Sequence, residues 1–202
     1  MNIRVVIVED QAMVRGALAA LLGLERDLEI VAEYADAESA LESLQQVSPD
    51  IALLDVGLPG MSGIEAVARI ATNHPEVRCI ILTTYGRPGY LRAALDAGAA
   101  GFLVKDAPAS ELAAAIRNVH AGGRVIDPEL ATAALTVGAN PLTPRQRDVL
   151  RLTLLGRNAA DIARELSLSE GTIRNYVSEA MAAIGADNRI EAARIAEARG
   201  WL

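Results

Sequence analysis

Apolar and polar positions follow two alternating periods along the first 120 residues. Residues 3–8 are β-branched and apolar except at Arg4, the pattern of a strand covered on both faces. Residues 12–23 place Val14, Leu18, Leu21 and Leu22 on one helical stripe. A short strand around Ile30 and Val31 precedes a helix over 36–46, with Asp36 at its N-cap and Pro49 just past its end. Residues 51–55 read as a third strand ending on Asp55, and Ser62 opens a helix over 62–72. A fourth strand runs over 77–83. The helix over 88–97 starts at Pro88 and stops at Gly98. Residues 100–104 form a fifth strand and 109–120 a fifth helix, ahead of Gly122 and Gly123.

Five strands alternating with five helices predict an α/β fold, a doubly wound parallel sheet with right-handed crossovers. Residues 124–141 show no clear period and read as a linker with room for one short helix. Beyond them every pattern is helical. Thr143, Asn158, Ser169 and Asn188 each open a helix, and Gly156 and Gly185 end two of them. The expected division is residues 1–121, a linker over 122–141, and an all-α domain over 142–202.

Charge sharpens that division. Residues 1–130 carry 10 basic and 18 acidic side chains, while 140–202 carry 9 and 8, so the two parts differ in the partners they suit. Lys105 is the only lysine. No uncharged apolar run is long enough to span a bilayer, so no membrane partner is expected. The N-terminus enters a strand without a secretory-signal pattern. A single cysteine, Cys79, lies in an apolar run. Together these point to the cytoplasm.

The strand ends carrying Glu9, Asp10, Asp55, Thr83 and Lys105 are expected to meet at one rim, where open parallel sheets bind ligands. Three converging carboxylates need a cation. Mg²⁺ (or Mn²⁺) suits them, with Asp10 and Asp55 as direct ligands, Glu9 through water and the Gly57 carbonyl as a further donor. Asp55 is then placed to act as a nucleophile toward a phosphoryl group, with Lys105 neutralising the phosphoryl oxygens and Thr83 donating a hydroxyl. Each residue alone reads as a solvated loop, a cap or a β-former. The order and spacing of the set point to the site.

Residues 158–184 have a helix–turn–helix layout with an apolar seam of Ile162, Ala163, Leu166, Leu168, Ile173 and Val177. The second helix would enter a major groove, with Thr172, Arg174 and Asn175 near phosphates and base edges and Tyr176 and Ser178 on the backbone. An ordinary helical bundle with a few arginines is the alternative.

Residues 1–121 resemble the receiver domain of two-component response regulators. The matching marks are Glu9 and Asp10, Asp55 with Pro59 and Gly63, Thr83, and the run from Gly101 to Lys105. Residues 140–202 resemble the LuxR-type DNA-binding domain through Leu142 to Leu150, Gly156, Asp161 to Ser169, Thr172 to Val177, and Asn188 to Ala192. Both together resemble the NarL/FixJ class: a (βα)5 flavodoxin-like receiver followed by a four-helix helix–turn–helix domain. The resemblance implies a transcription factor rather than an enzyme, phosphorylated on Asp55 by a cognate histidine kinase. It implies that Thr83 moves toward the phosphoryl group while Phe102 turns inward, and it adds Arg189 to the DNA-contacting set. It also implies a homodimer on promoter DNA.

This sequence departs from the pattern at Gln146, where Glu is usual, at Tyr176, where His is usual, and at Asp106. Ser178 and Ala183 stand where bases are frequent. Arg174 is the only base in residues 170–184, against Glu170 and Glu179. A monomer should therefore bind DNA weakly and need dimerisation. Arg87 to Tyr90, Arg174 to Tyr176, and Trp201 resemble the DesR-like subgroup, which implies a regulon linked to membrane lipids. An RNA-binding antiterminator fits the helical seam less well. A phosphatase would need an acid where Gly57 stands, and a receiver governed by a ligand would not need the complete acidic set.

Overall fold

The computed structural model describes every residue except Met1, Tyr85, Val137 and Ala139, and only the backbone of Glu129, Leu135 and Thr136. Val137 and Ala139, within the expected linker, therefore lie outside the described residues. The chain forms two compact units, one of residues 1–86 with 90–133 and one of 134–202 with 87–89.

The first unit is built on a six-stranded, wholly parallel sheet in the order β2-β1-β3-β4-β5-β6. Its strands are β1 (Ile3–Val8), β2 (Leu28–Tyr34), β3 (Ile51–Asp55), β4 (Arg78–Thr83), β5 (Gly101–Val104) and β6 (Val125–Ile126). The helices α1 (Ala12–Leu22), α2 (Ala37–Val47), α3 (Gly63–Asn73), α4 (Pro88–Asp96) and α5 (Ala109–His120) make the crossovers. The expected doubly wound α/β sheet is present. Alternate residues of the central strands face opposite layers. Val5, Ile7, Ile51, Leu53, Ile80 and Leu82 bury against α5 residues such as Leu112 and Ile116. Val6, Val8, Ala52 and Leu54 are equally buried on the other side. Burial on both faces explains why these strands read as continuous apolar runs.

Two features depart from the sequence reading. The stretch after α5 is not all linker: Val125 and Ile126 pair with Gly101 and Phe102 as a sixth strand. The one short helix allowed for there is present as α6 (Pro128–Thr136). The stripe on α1 is also only partly covered. Leu22 is buried and Val14 and Leu18 are half-buried, but Leu21 is 47% exposed.

The helix starts are as anticipated. Asp36 accepts from the Ser39 amide at 2.7 Å, and Ser62 forms a reciprocal capping box with Glu65. Arg117 on α5 clamps the loop before β2, donating to Asp27 at 2.7 Å and Glu25 at 2.6 Å. The guanidinium beside it holds the Asp27 carboxyl down at about 2. A depressed carboxyl favours the fold above its ordinary value of 3.8 and loses that contribution as pH falls through 2. In an Arg117→Gln protein, Asp27 is expected to titrate near its ordinary value; an NMR titration still giving about 2 would exclude Arg117 as the cause.

The second unit contains α7 (Pro144–Leu154), α8 (Ala159–Glu165), α9 (Glu170–Ile184) and α10 (Arg189–Ala198). Thr143, Asn158, Ser169 and Asn188 cap these helices as expected, each accepting from an amide of the first turn. One small core joins Leu142, Leu150, Ala180, Ala192, Ala196 and Trp201, and a second joins Val149, Leu152, Ile162, Ala163 and Ile173.

Candidate functional site

The central strands deliver the acidic residues to neighbouring positions. β1 and β3 are adjacent, with Val8 level with Leu54, so Glu9 and Asp10 emerge beside Asp55. Ligand atoms of Glu9, Asp10 and Asp55 lie within 4.8 Å of one another. Glu9 and Asp55 are buried and Asp10 is exposed. Thr83 ends β4, buried, and the Lys105 amide donates to the Thr83 carbonyl at 2.8 Å.

Lys105 reaches across this cluster. Its Nζ donates to Glu9 Oε2 at 2.5 Å and lies 2.8 Å from Asp55 Oδ1. Burial disfavours the ammonium, but the hydrogen bonds and charges of Asp55 and Glu9 outweigh it and hold the Lys105 pKa above its ordinary value. Burial pushes the Glu9 carboxyl up, and Lys105 opposes that shift only in part. The second Asp55 oxygen, Oδ2, accepts from the Gly57 amide at 3.0 Å. Gly57 thus meets Asp55 through its N–H.

The donor set consists of carboxylate oxygens, with no imidazole or thiolate in the cluster. Hard, oxygen-seeking divalent ions such as Mg²⁺ or Mn²⁺ fit such a set. Phe102 is 1% exposed, buried on β5 with Ile81 on one side and Ile126 on the other. Cys79 is buried in β4, where desolvation pushes its thiol up to about 12; the thiol is a packing group.

Two supporting residues escape the sequence reading. Arg15, one turn into α1, donates to the Glu9 carbonyl at 2.5 Å and so ties down the loop that carries the acidic pair. Glu38, in the first turn of α2, accepts from the Met61 amide at 2.9 Å and holds the loop after Asp55. The signal for Arg15 is its position six residues after Glu9. Glu38 contacts a loop 23 residues away and carries no local signal.

In the second unit, α8, a turn at Ser167 in left-handed conformation (φ 56°) and α9 build the helix–turn–helix. The expected seam is present: Ile162, Ala163 and Ile173 are buried, with Leu166, Leu168 and Val177 packed on them. Arg174, Asn175 and Ser178 lie on α9 and Arg189 at the start of α10, with Arg174, Asn175 and Arg189 exposed. Arg174 donates to Glu170 at 2.7 Å, one helical turn away, and the Thr172 hydroxyl lies 2.8 Å from that of Ser169. Tyr176 is half-buried, packed against the seam.

Residues 5–117 match the response regulator receiver domain family, and residues 140–196 match the bacterial regulatory proteins of the luxR family. The chain belongs to the DNA-binding two-component response regulators. Its relatives share the whole architecture. The uncharacterized transcriptional regulatory protein YvfU of Bacillus subtilis (strain 168) is 44% identical over 99% of this chain and 100% of its own length. The transcriptional regulatory protein DesR of the same organism is 42% identical over 99% of each. The solved complex of the response regulator RcsB with DNA superposes with a TM-score of 0.65 at 25% identity, covering 98% of this regulator and 99% of RcsB. The regulator's acidic cluster and its exposed α9 residues therefore lie in the two domains that such a protein needs. Among the described residues no helix is long and apolar enough to cross a membrane.

Proposed function

We propose that the regulator is a switch in which phosphorylation of Asp55 by a histidine kinase drives homodimerisation and binding to promoter DNA in the cytoplasm. The observation that carries this reading is the joining of Glu9, Asp55 and Lys105 at one buried rim, with Thr83 on the next strand. Mg²⁺, held by Asp10 and Asp55 with Glu9 behind them, would neutralise charge on the incoming phosphoryl group. A carboxylate oxygen of Asp55 attacks phosphorus, an acyl phosphate forms, and the donor's imidazole leaves. Lys105 then shifts its hydrogen bond to a phosphoryl oxygen. Thr83 follows, and Phe102 fills the space behind it. Thr172, Arg174, Asn175, Tyr176, Ser178 and Arg189 form the DNA-facing set. The chain acts by changing partners rather than by turning over a substrate, and the DesR-like marks at Arg87 to Tyr90, Arg174 to Tyr176 and Trp201 point to a regulon linked to membrane lipids.

Dimerisation is supported by apolar side chains left open along α1 and just past its end: Met13 and Leu21 on the helix are 87% and 47% exposed, and Leu24, beyond the C-cap Gly23, is 78% exposed. Treatment of the 21.3 kDa protein with beryllofluoride and Mg²⁺ is expected to convert it from monomer to dimer in sedimentation experiments. Leu21→Asp should block that conversion. A monomer that stays a monomer under beryllofluoride would refute the reading.

A further inference from the structure

We propose that Gln146 is a positioning residue for the DNA-reading helix α9, acting through Glu179. The inference rests on the DNA-binding assignment. Gln146 is a polar side chain buried to 6% exposure at the start of α7. Both ends of its amide are used. Oε1 accepts from the Thr143 amide at 2.9 Å, closing the cap of α7, and Nε2 donates to Glu179 Oε2 on α9 at 3.1 Å.

This bond joins two helices through residues 33 apart in sequence. Glu179 lies one turn beyond Asn175 on the same side of α9. A loose carboxylate there would face the phosphates of a bound groove and weaken binding. The Gln146 amide tethers this exposed carboxylate to α7, beside the apolar contacts that join the two helices. A donor is needed here because the partner is an acid: a carboxylate at position 146 would set two acids at hydrogen-bond distance with no proton between them. The chemistry therefore couples the identities of residues 146 and 179. An acid at one needs a hydrogen-bond donor at the other.

The test uses the full chain and a duplex selected from random-sequence DNA by the beryllofluoride-treated wild-type protein. Gln146→Glu is expected to weaken binding of that duplex about tenfold, a coupling within the usual range for residues in contact. Adding Glu179→Gln should restore affinity to within about twofold of the Glu179→Gln single variant. In that double variant the amide at position 179 donates to the carboxylate at position 146, with the polarity of the bond reversed. Gln146→Met keeps the volume but makes neither bond. It should also weaken binding, and Glu179→Gln should not rescue it. Thermal melts of each variant separate loss of fold from loss of binding. A Gln146→Glu protein that binds like wild type, or a folded double variant no tighter than Gln146→Glu, would overturn the inference. A wild-type protein that selects no duplex would overturn the DNA-binding assignment itself.

Discussion

Asp55→Asn is expected to abolish acyl-phosphate formation while leaving the fold intact. The substitution changes one oxygen to NH₂ at constant volume in a site that is 8% exposed, so packing is retained. The amide oxygen can still accept from the Gly57 amide. The NH₂ group then meets the Lys105 ammonium, which now lies 2.8 Å from Asp55 Oδ1, and two donors face each other. More importantly, the amide is no nucleophile and contributes no charge toward a divalent ion. With acetyl phosphate as donor, intact-mass measurement should show wild type gaining one phosphoryl group. The variant should be slower by at least about three orders of magnitude, the scale on which removal of a nucleophile acts. Beryllofluoride should likewise fail to drive dimerisation. A variant phosphorylated at the wild-type rate would mean that another side chain accepts the group, and the assignment of Asp55 would fall.

The parts of this site that are legible in sequence share one property: their information is local. The run of buried residues ending at Asp55 marks a strand end, and Ser62 with Glu65 three positions on marks a helix start. Lys105 stands out as the only lysine, placed just after a buried strand. What is not legible depends on contacts between distant segments. Glu38 holding the Met61 amide, and Gln146 holding Glu179, join residues whose neighbours in sequence say nothing about each other. Strand β6 escapes a sequence reading because two residues cannot establish a period. The stripe on α1 reads as core because periodicity shows which side chains align, not whether anything covers them. Leu21 aligns with the helix repeat and is nonetheless exposed.

Gly63→Ala is expected to be the most damaging single-methyl change near the site. Gly63 is the first residue of α3, directly after the Ser62 cap, and its amide donates to the Val56 carbonyl at 3.2 Å. A Cβ on Gly63 would fall 1.9 Å from the backbone oxygen of Asp55 and 2.9 Å from its carbonyl carbon. Its φ does not lie in the left-handed region, so the obstacle is contact rather than backbone strain. The atoms in the way belong to the strand backbone and cannot rotate aside as a side chain can. The start of α3 must move off the sheet, and Asp55 with it. Overpacking of this kind costs about 3 kcal/mol or more, a large fraction of the roughly 5–15 kcal/mol that holds a domain folded. Phosphotransfer should fall about a hundredfold beyond any loss of folded protein, because a displacement of about 1 Å misaligns the nucleophile. Gly16→Ala is the control. A Cβ on Gly16, in the interior of α1, meets nothing within 4 Å, and alanine there should stabilise the helix by about 0.5–1 kcal/mol. Urea denaturation and acetyl-phosphate labelling of the two variants side by side decide the matter: equal stabilities would mean that α3 does not approach Asp55 as closely as the structure shows.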